Sequence, residues 1–183
     1  TEATSSDGKS TVVNAFVGAT PTLQLAWTPK AEGARGLQAL VAVAAEVGVH
    51  LDEGIARARV RLVSTVTRAE IASQTLLVPG AYRVVNVFDE NVRAWSVKRE
   101  GEVQNVLVEF FKPVLGRQEL LVELERLANE AVVALPAVAV RDASREQGML
   151  LVGVAEGLRA EAVRRERLAQ QDLAELAKGS ELA

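Results

Sequence analysis

The stretch IARARVRLVSTVT, residues Ile55 to Thr67, decides how the chain reads. Ala56, Ala58, Val60, Leu62 and Val66 fall on one side of a two-residue repeat, and Arg57, Arg59, Arg61, Thr65 and Thr67 on the other. Side chains alternate in this way along a half-buried β-strand, whereas a helical period would scatter the arginines around its circumference. This is a strand.

Working outward, the same alternation recurs. Leu23, Leu25 and Trp27 alternate with Thr22, Gln24 and Thr28. Pro79-Gly80 suits a type II turn, with glycine supplying positive φ at the third position. After it, Tyr82, Val84 and Phe88 are expected on one face, opposite Arg83, Val85 and Val87. Asp89-Glu90-Asn91 reads as a hairpin loop before Val92 to Lys98, and Arg99 to Glu102 as a second turn before Val103 to Phe111. Lys112 to Arg117, holding Pro113 and Gly116, reads as a connection to a further strand, Gln118 to Leu127. In that strand Leu120, Val122 and Leu124 alternate with Glu119, Glu123 and Glu125. Ala131 to Val140 carries Pro136 and suits an edge or strand start. Asp142 to Gly148 reads as a polar turn, with a strand from Met149 to about Val163 beyond it.

Together these signals predict an all-β fold, an antiparallel β-sandwich of roughly nine to eleven strands. A short carboxy-terminal helix is expected around Gln171 to Ala177. Residues 1–10, small and polar, read as a flexible amino-terminal segment, and 11–183 as the sandwich domain, with two sub-sheets joined near 33–36. The missing initiator methionine fits a processed end or a segment of a longer protein.

Composition narrows the chemistry. The 183 residues are 49% hydrophobic and 25% charged, values of a globular chain that buries a core. There is no cysteine and one histidine, His50, which removes thiol catalysis, sulfur-ligated zinc and multi-histidine metal sites. No metal and no cofactor are expected. The net charge of −3 argues against a phosphate-binding surface, so nucleic acid is not an expected partner. No run approaches the roughly 18–20 apolar residues of a membrane span.

The sharpest charge feature is the row Arg57, Arg59 and Arg61, its members about 7 Å apart on one strand face. It reads either as a track for an anion or carbohydrate or as a solvated face paired with Glu119, Glu123 and Glu125 across strands. His50, close to Asp52, Glu53 and Gly54, reads as a surface histidine beside a hairpin; Ser64 and Ser73 are the only nucleophiles nominated for it. Five scattered aspartates make no calcium loop. No catalytic residues are assigned.

The segments LLVPGAYRVVNVFDENVRAWSV, KPVLGRQELLVELER, LPAVAVRDASREQGMLLVGVAEGL and LAQQDLAEL, spanning about Leu76 to Leu176, resemble β-rich modules of large predicted bacterial cell-envelope proteins. The resemblance lies in turn grammar: a V-P-G turn, a hairpin into a tryptophan strand, a P-x-x-G turn and an R-E-x-G turn. It implies a structural or protein-interaction module of an envelope-associated assembly, not an enzyme. Its partners would be other protein chains or copies of itself, and its place the cell envelope or the exterior. A carbohydrate- or anion-binding module using Arg57, Arg59 and Arg61 is the alternative, and a cytoplasmic location stays open.

Overall fold

A computed structural model describes residues 38–171 and two short strands, β1 (Glu2–Thr4) and β2 (Val12–Asn14). The chain divides into two compact units, Thr1–Gly33 and Ala34–Ala183. Within the smaller unit β1 and β2 pair antiparallel, so part of the segment read as flexible lies in a ladder. The expected strand at Leu23 to Trp27 lies outside the described residues, as does the expected helix beyond Gln171.

The larger unit is built from seven strands: β3 (Leu40–Asp52), β4 (Gly54–Pro79), β5 (Arg83–Phe88), β6 (Val92–Glu100), β7 (Val103–Ala128), β8 (Ala139–Val140) and β9 (Arg145–Val154). Their order is β5-β7-β4-β3-β9, with β6 also on β7 and β8 on β4. No helix occurs among the described residues. The described residues are all-β, the seven strands of the larger unit forming a mixed sheet.

The inward faces follow the parity read from the sequence. Ala56, Ala58, Val60, Leu62 and Val66 are buried on β4, and Leu120, Val122 and Leu124 on β7. Each fully buried valine or leucine contributes about 1.5–3 kcal/mol, which settles Gln118 to Leu127 as strand despite its helix-forming residues. At the other end of the same two strands, Leu76, Val78, Val106 and Val108 enter the same core. Trp95 packs against it half-buried.

Six expectations need correction. Lys112 to Arg117 is not a turn: β7 runs unbroken from Val103 to Ala128. Pro113 is tolerated because it falls where the β4–β7 register shifts, between Val66 and Ser73 on the opposing strand. There Asn91 takes over the ladder, its carbonyl accepting from Phe111 N–H and its Oδ1 from Lys112 N–H. Gly116 absorbs the distortion at φ 94°.

A second bulge, between Val84 and Asn86, reverses the parity of β5. Val87 is therefore buried and Phe88 is 61% exposed, the opposite of the alternation expected. The Pro79-Gly80 turn is shifted by one residue as well. Tyr82 N–H donates to Pro79 carbonyl, so Pro79 is the first corner, and Gly80 does not adopt positive φ. Glycine is needed there because a Cβ would lie 2.9 Å from the Glu102 carbonyl oxygen.

β9 runs parallel to β3, not antiparallel. The turn before it is pinned to the start of β3, where Ser144 N–H and Oγ–H both donate to Val41 carbonyl. Entering at the same end as its neighbour, β9 must run the same way. It also stops at Val154 and does not continue to Val163. β3 ends at Asp52, so after Ala155 N–H donates to Leu51 carbonyl there is no partner left, and Gly157 turns away at φ 87°. Finally, Ala131 to Val140 is strand only at Ala139–Val140. The preceding segment is fastened by Tyr82 Oη–H, which donates to Ala134 carbonyl at 3.0 Å.

Candidate functional site: the outer face and its groove

Opposite the core, the register of five strands lays the outward side chains in rows. One row runs Gly153, His50, Arg57, Glu125, Arg83 across β9, β3, β4, β7 and β5. The next runs Leu151, Gly48, Arg59, Glu123, Asn86, and a third runs Met149, Glu46, Arg61, Leu121, Phe88. The arginine row of the sequence therefore sits at the middle of the face, flanked by the acidic row of β7 as its alternation implied.

Two of the three arginines are neutralised. Arg61 forks onto Glu119, with Nε donating to Oε1 at 2.6 Å and Nη2 to Oε2 at 3.0 Å, and reaches Glu46 on β3 at 3.4 Å. That fork holds the Arg61 guanidinium above its ordinary pKa and the Glu119 carboxyl below its own. Arg59 meets Glu123 at 3.3 Å. The third expected pair does not form. Glu125, directly opposite Arg57, is taken by Arg83 from β5, and Arg57 has no ion partner among the described residues.

The first two rows, as far as Glu125 and Glu123 on β7, line an open groove of about 800 Å³. Its depth has a simple cause: Gly48 and Gly153 put no side chains on the floor, while His50, Arg57, Arg59 and Leu151 stand around it. The alternation of apolar and charged residues by itself singles out neither glycine. An isolated glycine inside an alternating strand was the available signal, since it marks a place where something approaches the backbone closely.

The nucleophiles nominated for His50 are not brought to it. Ser64 is buried, accepts from Gln74 Nε2 at 2.8 Å, and opposes Val43, seven residues or about 23 Å along β3 from His50. Ser73 lies farther along β4, beyond the register shift. Glu123 and Glu125 stand on one strand face, each held by an arginine, and do not confront each other across a cleft as a glycosidase pair would. Among the described residues no group of three or more acidic or histidine side chains is placed to hold a metal ion. No helix there is long and apolar enough to cross a membrane.

No family model matches the chain, and no curated protein matches it in sequence. Distant likenesses exist among solved structures. A two-domain M1 zinc metallopeptidase bound to L-tryptophan aligns with 48% of this chain and 20% of its own, at 16% identity and TM-score 0.38. An M1 zinc metallopeptidase from Deinococcus radiodurans bound to a Tyr-Ser-Ala substrate aligns with 52% and 22%, also at 16% and 0.38. A non-cellulosomal cohesin from Archaeoglobus fulgidus aligns with 62% and 91%, at 11% and 0.39. The chain spans about a fifth of the length of the two peptidases. Likeness this low defines neither fold nor activity.

Proposed function

We propose that the chain is a non-catalytic β-sandwich module that works by protein–protein contact in a larger bacterial envelope-associated assembly, meeting other chains or copies of itself along β9. One observation carries this reading. β9 is the sheet's last strand, and from Gln147 to Val154 it bears no charged residue and no proline. Sheet edges that stay unpaired are normally guarded by such residues, by bulges or by covering elements. Among the described residues nothing pairs with the outer side of β9, and Val152 and Val154 are 41% and 37% exposed. Strand addition supplies main-chain hydrogen bonds to an edge of this kind. The envelope setting rests on the turn grammar shared with cell-envelope modules and on the lack of cysteine.

Sedimentation velocity across a concentration series, with hydrogen exchange at the β9 amides, tests the proposal. We expect concentration-dependent association that protects β9 amides and is abolished by Val152→Lys with the melting temperature little changed. A chain that stays monomeric at every concentration, with β9 amides exchanging freely, would remove the self-association arm.

The alternative reading, an anion- or carbohydrate-binding module on the arginine face, is favoured at one position only. Arg59 and Arg61 are occupied by glutamates; Arg57 is not.

A further inference from the structure

We propose that the corner of the groove formed by Arg57, His50 and Gly153 binds the carboxylate of a small monoanionic ligand. The inference does not depend on how β9 meets other chains. It narrows the anion reading to a single position and a single chemistry.

The placement comes from register. Arg57 and His50 are directly opposed on β4 and β3, and Gly153 is the next residue in the same row on β9. Opposed side chains on one sheet face stand about 5 Å apart at Cβ, so guanidinium and imidazole rise side by side. Beside them the row drops to bare backbone. The His50 Nδ1 lies 3.4 Å from where a Cβ on Gly153 would sit, so the imidazole borders the space the glycine leaves. A ligand resting over Gly153 has a planar fork of donors on one flank and a ring nitrogen close by.

Charge selects the ligand. Arg57, Arg59, Glu123 and Glu125 line the groove; Arg59 is matched with Glu123, and Arg83, reaching in from β5 outside the lining, is matched with Glu125. Three positive groups less two negative leaves one, and it is Arg57. Asp52, near the end of the row, is turned to its own hairpin by accepting Glu53 N–H at 2.8 Å. A single carboxylate cancels the residual charge and matches the guanidinium fork in two parallel bonds. A dianion would overshoot and meet the glutamates across the groove. Leu151 and Val85 line the same groove and offer apolar surface to the rest of the ligand, and a volume near 800 Å³ admits a small molecule.

The experiment follows amide resonances of the whole chain while titrating N-acetyl-leucine, its carboxamide twin, acetate and inorganic phosphate. N-acetyl-leucine is expected to give saturable shifts at Gly48, His50 and Gly153, with acetate weaker and the carboxamide giving none. Arg57→Gln should weaken binding about tenfold or more, while Arg61→Gln leaves it within about twofold. Gly153→Val should abolish binding without altering charge, and it decides the matter if Arg57→Gln does not fold. Equal binding of the carboxamide, tighter binding of phosphate, equal losses from Arg57→Gln and Arg61→Gln, or no saturable shift with any probe would each overturn the proposal.

Discussion

Two of the sheet's edge strands, β5 and β9, share a core and differ in almost everything else. β5 is six residues long, bulged at Val85, and fastened by the Arg83–Glu125 ion pair and by Tyr82 at its start. β9 is ten residues long and regularly paired along β3, with no charge over its last eight positions. Bulges and charges discourage a further strand from adding to an edge, and β9 has neither where it matters. Of these two edges, only β5 carries the guards. Its parallel ladder with β3 also makes β9 a long-range attachment, joined to a strand more than ninety residues earlier in the chain.

The change with the largest expected effect attacks that attachment. A Cβ on Gly148 would run into the carbonyl oxygen of Ala45 on β3, so backbone, not a pliable side chain, must give way. Gly148→Ala is expected to cost about 2–3 kcal/mol in chemical denaturation. Hydrogen exchange should show the loss concentrated in β9 while amides of β4 and β7 keep their protection. If protection falls uniformly, β9 is integral to the cooperative core and the contrast between the edges dissolves.

How far the sequence reaches follows the same division. Parity along Ile55 to Thr67 and Gln118 to Leu127 is local information, and the buried positions of both stretches agree with it. The hairpin at Asp89 to Asn91 and the turn at Gly101 are equally local, and both occur. What escaped were events decided by distant partners. Pro113 and Gly116 carry turn chemistry, yet Asn91 satisfies the backbone there and the strand continues. Phe88 is exposed because one extra residue at Val85 reverses the alternation. At the site, the arginine row and its acidic neighbours were legible, while the freedom of Arg57 was not. It arises because Arg83, on another strand, occupies Glu125. The glycine floor needed the β3–β9 pairing, and no period in the sequence encodes that.

A smaller effect tests the guarded edge. Tyr82 is 2% exposed, and its hydroxyl makes the shorter of two hydrogen bonds to the Ala134 carbonyl, the other coming from Arg126 Nη1. Tyr82→Phe removes that hydrogen bond and should cost about 1 kcal/mol, leaving the Ala134 carbonyl to Arg126 Nη1 and to water. Burial raises the Tyr82 pKa above 10.0, so the folded state keeps the proton longer than the unfolded chain. Stability of the parent protein should therefore fall as pH rises beyond the unfolded value, and Tyr82→Phe should flatten that decline. An unchanged alkaline limb in the variant would show that Tyr82 does not secure this edge.

The smallest effect concerns the centre of the face, between the two edges. Arg61 ties β4 to both β7 and β3 through Glu119 and Glu46, whereas Arg57 has no ion partner among the described residues. Arg61→Gln is expected to cost from a few tenths to about 1 kcal/mol, and Arg57→Gln to stay within about 0.5 kcal/mol of the parent. The acid limb separates them further. Glu119 titrates below its ordinary 4.5 in the folded chain because Arg61 hydrogen-bonds its carboxylate. Its contribution is whole above the unfolded value and is lost as pH falls from there through the lowered one. In Arg61→Gln that part of the acid decline should shrink, while in Arg57→Gln it should match the parent. Salt discriminates as well, since screening weakens the Arg61 pairs and has nothing to weaken at Arg57. If the two variants instead lose equal stability and titrate alike, the face is uniformly solvated, and the asymmetry that singles out Arg57 for a ligand is absent.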